Sequence, residues 1–230
     1  MQPGSSRKGG WSRAGGAALL TLLGAGAVAT GAGAARYPGG TWVDPVAPGH
    51  SWWGNFLCDI ARDMAVNGAP NPGAPWGRAA EWAFVAALCL FWWLAPALVE
   101  RRGIRRPVRV LGTSSLLGLV LVPVTWGGAH TLALAAGAGP GFVAAALLVR
   151  GLRGRPMLAL LGAVSLVLAA LELGLYLAFR EGPLPMAVPA VQRVALLAAV
   201  AWMAGCALAL LRGQGVEAAG GSSTGSPRAT

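Results

Sequence analysis

The chain has 230 residues, 55% of them hydrophobic and 11% charged, with a net charge of +10. A water-soluble domain carries about a quarter of its residues as charges, so an ordinary soluble fold is excluded. Nucleic-acid binding is also a poor fit, because the arginines sit in short clusters between long apolar runs, the pattern that orients membrane spans.

A spanning helix takes about 20 mostly apolar residues. The first stretch that meets this measure is Ala14 to Ala35, rich in Gly and Ala and preceded by a basic, Gly/Ser-rich segment, 1–13, that reads as a flexible cytoplasmic tail. Arg7, Lys8 and Arg13 followed by an apolar run and Ala32-Gly33-Ala34 also resemble a signal peptide with its cleavage site, an alternative that would leave five spans.

The one long loop follows, 36–76. It opens and closes on turn sequences, Tyr37-Pro38-Gly39-Gly40 and Asn67-Gly68-Ala69-Pro70-Asn71-Pro72-Gly73. Between them Ser51 to Val66 reads as a short interfacial helix. On a helical wheel Trp52, Phe56, Leu57, Ile60 and Met64 share one side, and Asn55, Asp59 and Asp63 form a polar stripe on another. Such a helix lies on the membrane or caps the bundle, with Trp52 and Trp53 as anchors. Its stripe is either a solvated acidic face or part of a site among the spans.

The second span is Gly77 to Val99, opened by Arg78 and Glu81; a carboxylate in a first helical turn is favoured by the helix dipole. The third is Pro107 to Trp126 and the fourth Ala129 to Val149. Only Gly127-Gly128 separates these two, but Arg109 and Arg150 bracket 40 residues with no charge other than any on His130. At 1.5 Å per residue that is roughly 60 Å of helix, two crossings of a core about 30 Å thick. Gly127-Gly128 permits the turn, and Pro123 and Pro140 bend their helices. The fifth span is Pro156 to Phe179 and the sixth Pro189 to Leu211. The Gly/Ser/Thr-rich tail 213–230 reads as disordered.

With the N-terminus inside, thirteen basic residues fall on the inner side, among them Arg101, Arg102, Arg105, Arg106, Arg109, Arg150, Arg153, Arg155 and Arg212. Five fall outside: Arg36, Arg62, Arg78, Arg180 and Arg193. This positive-inside bias puts both termini in the cytoplasm. Heavy use of Arg, Ala and Gly is that of a GC-rich bacterial genome, so the expected location is the bacterial cytoplasmic membrane. The expected fold is an all-α, polytopic bundle of six spans with an external interfacial helix in the first loop.

Polar groups gather on the outer side. Glu172 lies about 10 Å inside the fifth span, where a carboxylate is costly and should face the bundle and find a partner; Gln192, Arg193 and His130 are the candidates. The candidate polar site is therefore Asn55, Asp59, Asp63, His130, Glu172 and Arg193. Two histidines, His50 and His130, are too few for a three-histidine zinc centre. The three cysteines, Cys58, Cys89 and Cys206, form no CxxC pair. No metal or cofactor is expected. The expected partners are the lipid bilayer and a lipid or small molecule in the outer half of the bundle, not nucleic acid.

The loop resembles one membrane-protein family. Tyr37-Pro38-Gly39-Gly40, then Ser51-Trp52-Trp53-Gly54-Asn55-Phe56-Leu57-Cys58-Asp59, is similar to the opening of bacterial proteins called domain of unknown function 998. That resemblance implies about six spans and a histidine in a later one, which His130 matches. It brings no established activity, and it supports Asn55, Asp59 and His130 as positions to test. Three functions stay open: a non-catalytic accessory, sensor or lipid-interacting component; a small transporter or proton-coupled carrier using Glu172; and an intramembrane metal-dependent hydrolase with a mixed site of His130, Asp59 and Glu172.

Overall fold

The computed structural model describes residues 5–179 and 187–213. Six helices make up the fold: α1 (Ser5–Ala34), α2 (Ala74–Leu94), α3 (Arg102–Leu119), α4 (Gly127–Gly151), α5 (Pro156–Phe179) and α6 (Ala187–Leu211). Each is long and apolar enough to cross a membrane, α2 and α3 together with the 3-10 turns that extend them to Leu98 and Val124. The protein is a polytopic helical bundle, and no sheet is present among the described residues. The expected disordered tail beyond Gly213, with Arg228, lies outside the described residues, as do residues 1–4 and Arg180.

The helix ends follow local chemistry. Gly127 turns the chain at a φ of 60°, a conformation open to glycine, so α3 and α4 are two crossings as the charge-free length requires. α3 closes at Leu119, and Pro123 falls in a separate 3-10 turn, Val122–Val124. α1 begins before the expected Ala14, and Leu19 and Leu23 lie in the bundle core. α3 also starts early, at Arg102, which puts Pro107 inside the helix.

Short connections make α3, α4 and α5 antiparallel in turn. The 2–3 and 4–5 junctions, with Arg101, Arg102, Arg150 and Arg153, therefore share one end of the bundle. Arg13 lies against Gly213 there as well. The long loop occupies the opposite end.

The two ends are packed differently. At the arginine end Leu19, Phe91, Val108, Leu148, Trp202, Cys206 and Leu210 form one buried core. Phe91 sits at its centre, its ring 5.0 Å from Trp92 and 5.1 Å from Trp202. At the loop end the helices part around cavities. α5 is the least embedded helix: only Gly162 and Ser165 are buried, and Met157, Leu160, Val164, Val167 and Leu171 are exposed on its outer face.

Candidate functional site

The loop is a hydrogen-bonded cap built around a short interfacial helix. The interfacial helix expected over Ser51 to Val66 is present only as the 3-10 segment Leu57–Ala61, flanked by turns. Side chains, more than helical hydrogen bonds, hold the chain here, because Asn and Asp offer the backbone an alternative to regular structure. The fully buried Asn55 accepts from the Ser51 N–H at 2.9 Å and donates to the Gly40 carbonyl at 2.8 Å. Asn71 works in the same way: it donates to the Ile60 and Arg62 carbonyls at 2.9 and 2.8 Å and accepts from the Gly73 N–H at 2.9 Å.

These contacts join the two loop motifs. Gly39 and Gly40 adopt φ of 139° and 86°, and a Cβ on Gly40 would strike the Asn67 backbone nitrogen. Only glycine brings the Gly40 carbonyl to Asn55 in that space. The Tyr37 hydroxyl accepts from the Val66 N–H at 2.9 Å, and burial raises its pKa.

Asp59 is the buried acid of this cap. Its carboxylate accepts from the Phe56 N–H at 2.8 Å, the Trp42 indole N–H at 3.1 Å and the Asn55 amide at 3.4 Å. Arg62, stacked on Trp42, approaches it to 3.8 Å. Burial pushes the Asp59 carboxyl above the ordinary range, against these donors and Arg62, which pull it down. Burial also holds the neighbouring Cys58 thiol well above its usual pKa, with help from the charges of Asp59 and Glu81.

The helical stripe of three polar residues does not form. Asp63 is exposed and pairs with Arg78 at 2.9 Å, a surface ion pair of small energetic weight. Because the chain leaves the helix after Ala61, Asp63 no longer shares a face with Asn55 and Asp59.

Arg193 fastens the cap to α6. It is 5% exposed, and it donates to the Trp52 and Asn55 carbonyls, each at 2.9 Å. Its guanidinium also lies 3.4 Å from His50 Nε2 and 5.6 Å from the Trp52 ring centre. Burial, then the Arg193 charge, lowers the His50 pKa to about 4. The adjacent Gln192 extends the linkage into the bundle: its oxygen accepts from the Leu57 N–H at 2.9 Å, and its amide donates to Glu172 at 3.4 Å.

Glu172 therefore meets Gln192 among its candidate partners, an uncharged amide. Both line a cavity of about 270 Å³ under the cap, together with Glu81, His130, Tyr176 and Cys58. His130 Nδ1 contacts the Val122 and Thr125 carbonyls at 3.2 and 3.1 Å, so Nδ1 is the donor to them. Tyr176 shares a hydrogen bond with Thr131 at 3.3 Å and packs edge-on against Phe56. A second, more apolar cavity of about 300 Å³ lies beside the first, and Leu57, Glu81, Leu119, Val122 and Leu134 line both. Glu81 is not at a helix start, since α2 begins at Ala74, and its Oε2 is buried with no hydrogen-bond partner.

The candidate residues thus divide into two groups. Asn55, Asp59 and Arg193 build the cap; Glu172 and His130 line the cavity; Asp63 belongs to neither. Among the described residues no three His, Cys, Asp or Glu side chains are grouped to hold one metal ion, so the mixed His130–Asp59–Glu172 metal site does not form. Trp42, Asn71 and Tyr176 were not legible as site residues. Asn71 reads only as part of a turn, whereas Tyr176, a lone tyrosine inside an apolar span, was an available signal. Comparisons with protein-family models, curated proteins and solved structures return no match.

Proposed function

We propose that this multi-pass protein is a non-catalytic, lipid-interacting component that holds a small amphipathic ligand in the loop-end half of its bundle. The contrast between its two ends carries this reading. The arginine end is filled with aromatic and aliphatic side chains, whereas the loop end keeps two adjoining cavities under a cap pinned by Asn55 and Arg193. Small-molecule sites are typically largely preformed, mostly apolar hollows of about 300–1,000 Å³ with a few placed polar groups. These cavities have that character, and the orphaned Glu81 oxygen offers a polar contact inside them.

Native mass spectrometry of protein released from lipid nanodiscs tests the reading. The expected result is a retained amphiphile of fixed stoichiometry, lost when Ala169→Phe fills the cavity wall. A retained mass that Ala169→Phe leaves unchanged would refute it.

The clustering of arginines at one end supports placing that end in the cytoplasm of a bacterial cell and the cap outside. Impermeant thiol reagents applied to the outside should label Val46→Cys and not Arg102→Cys in a background without the native cysteines. Labelling of Arg102→Cys alone would invert the orientation. Kinship with the domain of unknown function 998 family is a further proposal, supported by the contact that ties Tyr37-Pro38-Gly39-Gly40 to Asn55.

A further inference from the structure

Two carboxyl groups, Glu81 and Glu172, line the polar cavity, and no lysine or arginine lines it or its apolar neighbour. The Glu81 Oε2 is buried and unpartnered, and Glu172 has one long bond from an uncharged amide. The Gln192 oxygen is already taken by the cap. An acceptor-lined pocket complements a ligand rich in donors, and an ammonium presents three donors and no acceptor. A phosphate or carboxylate headgroup brings further acceptors, not the donors that these carboxyl oxygens lack. A coordinated metal ion is a poor occupant, because among the described residues no three His, Cys, Asp or Glu side chains are grouped to hold one. Beside the polar compartment the apolar cavity runs past Phe84, Leu88 and Leu196, with Glu81 on the wall common to both.

We infer that the occupant is a single-chain amphiphile with a primary ammonium headgroup, its cation between Glu81 and Glu172 and its chain in the apolar cavity. This inference rests on the ligand-binding reading above and specifies the class of ligand. Unpartnered carboxyl oxygen in a membrane interior is costly. A bound ammonium supplies the missing donors with charge-assisted hydrogen bonds.

The test uses the full chain in phosphatidylcholine nanodiscs with three diazirine-bearing probes of equal chain length: dodecylamine, dodecanol and dodecanoic acid. Crosslinks are mapped by mass spectrometry. The amine should label the cavity segment 169–176 about tenfold more than the alcohol or the acid, and Glu172→Gln or Glu81→Gln should reduce its labelling by about tenfold. Circular dichroism and melting of the two isosteric variants report that they remain folded. Competition by added lysophosphatidylethanolamine, which carries one chain, would identify a lipid headgroup as the source of the ammonium; no competition would identify a free amine. Equal labelling by all three probes, or amine labelling unchanged in both variants, would overturn the ammonium inference and leave the ligand-binding reading intact. Labelling confined to lipid-facing positions such as Leu160 and Val167 would overturn both.

Discussion

Asn55→Ala should open the cap without unfolding the bundle. The amide is fully buried, and its loss strips the Gly40 carbonyl and the Ser51 N–H of their partners at 2.8 and 2.9 Å. A buried backbone group left unsatisfied costs about 1–3 kcal/mol. Gly40 is buried and Ser51 half-buried, so the summed cost is about 3 kcal/mol, roughly a hundredfold in the opening equilibrium. Hydrogen exchange followed by mass spectrometry reads this directly. Peptides covering 39–56 should exchange about a hundredfold faster, with those of the arginine-end core unchanged. Asn55→Asp sharpens the test. It keeps an oxygen for Ser51 but loses the donor to Gly40 and sets a second carboxylate where the amide now lies 3.4 Å from Asp59. It should be worse than alanine at neutral pH. Mutual repulsion raises proton affinity in the folded cap above that of the open one, so stability returns as pH falls and is lost as it rises. A change below about threefold for Asn55→Ala, or a pH-independent Asn55→Asp, would refute the cap as a structure built on this amide.

Acid should loosen the contact between cap and α6 through His50. Its folded pKa of about 4 lies below the usual 6.5, so its contribution is intact above about 6.5 and declines as pH falls toward 4. Asp59, whose folded pKa is raised, acts in the opposite sense. His50→Gln should therefore abolish the loosening in exchange of the 52–55 segment, after correction for intrinsic rates; an unchanged profile would remove His50 from the account. Arg193→Lys retains the charge but not the fork that reaches both the Trp52 and Asn55 carbonyls. It should speed exchange at those residues by about tenfold or more, whereas a wild-type rate would mean that charge alone suffices. Gly40→Ala combines a left-handed φ with a backbone collision and should cost at least about 2 kcal/mol, read as a lower melting temperature of the cap by limited proteolysis.

The spans were legible because a bilayer imposes one length and one polarity on every crossing. The 40 residues between Arg109 and Arg150 had to fold back, and they do so at Gly127, where the glycine pair marked the turn. Glu172 could be placed in the bundle with a partner on the cost of its charge alone. The cap was only half legible. Its turn residues stood out, but the wheel over Ser51 to Val66 assumed a helical period, and the local minimum is a chain held by Asn55, Asp59 and Asn71 side chains. Periodicity does not register bonds of that kind. The pairing of Gly40 with Asn55, and of Arg193 with the Trp52 and Asn55 carbonyls, spans long stretches of sequence and leaves no local pattern. The same holds for the cavity: Glu81, His130, Glu172 and Gln192 come from four helices, and only helix packing brings them to one wall. The sequence by itself determined that six helices cross a membrane and that acids gather toward one end. Tertiary structure alone decided which of those acids are buried, which one meets an arginine at the surface, and that the core is filled at one end and hollow at the other.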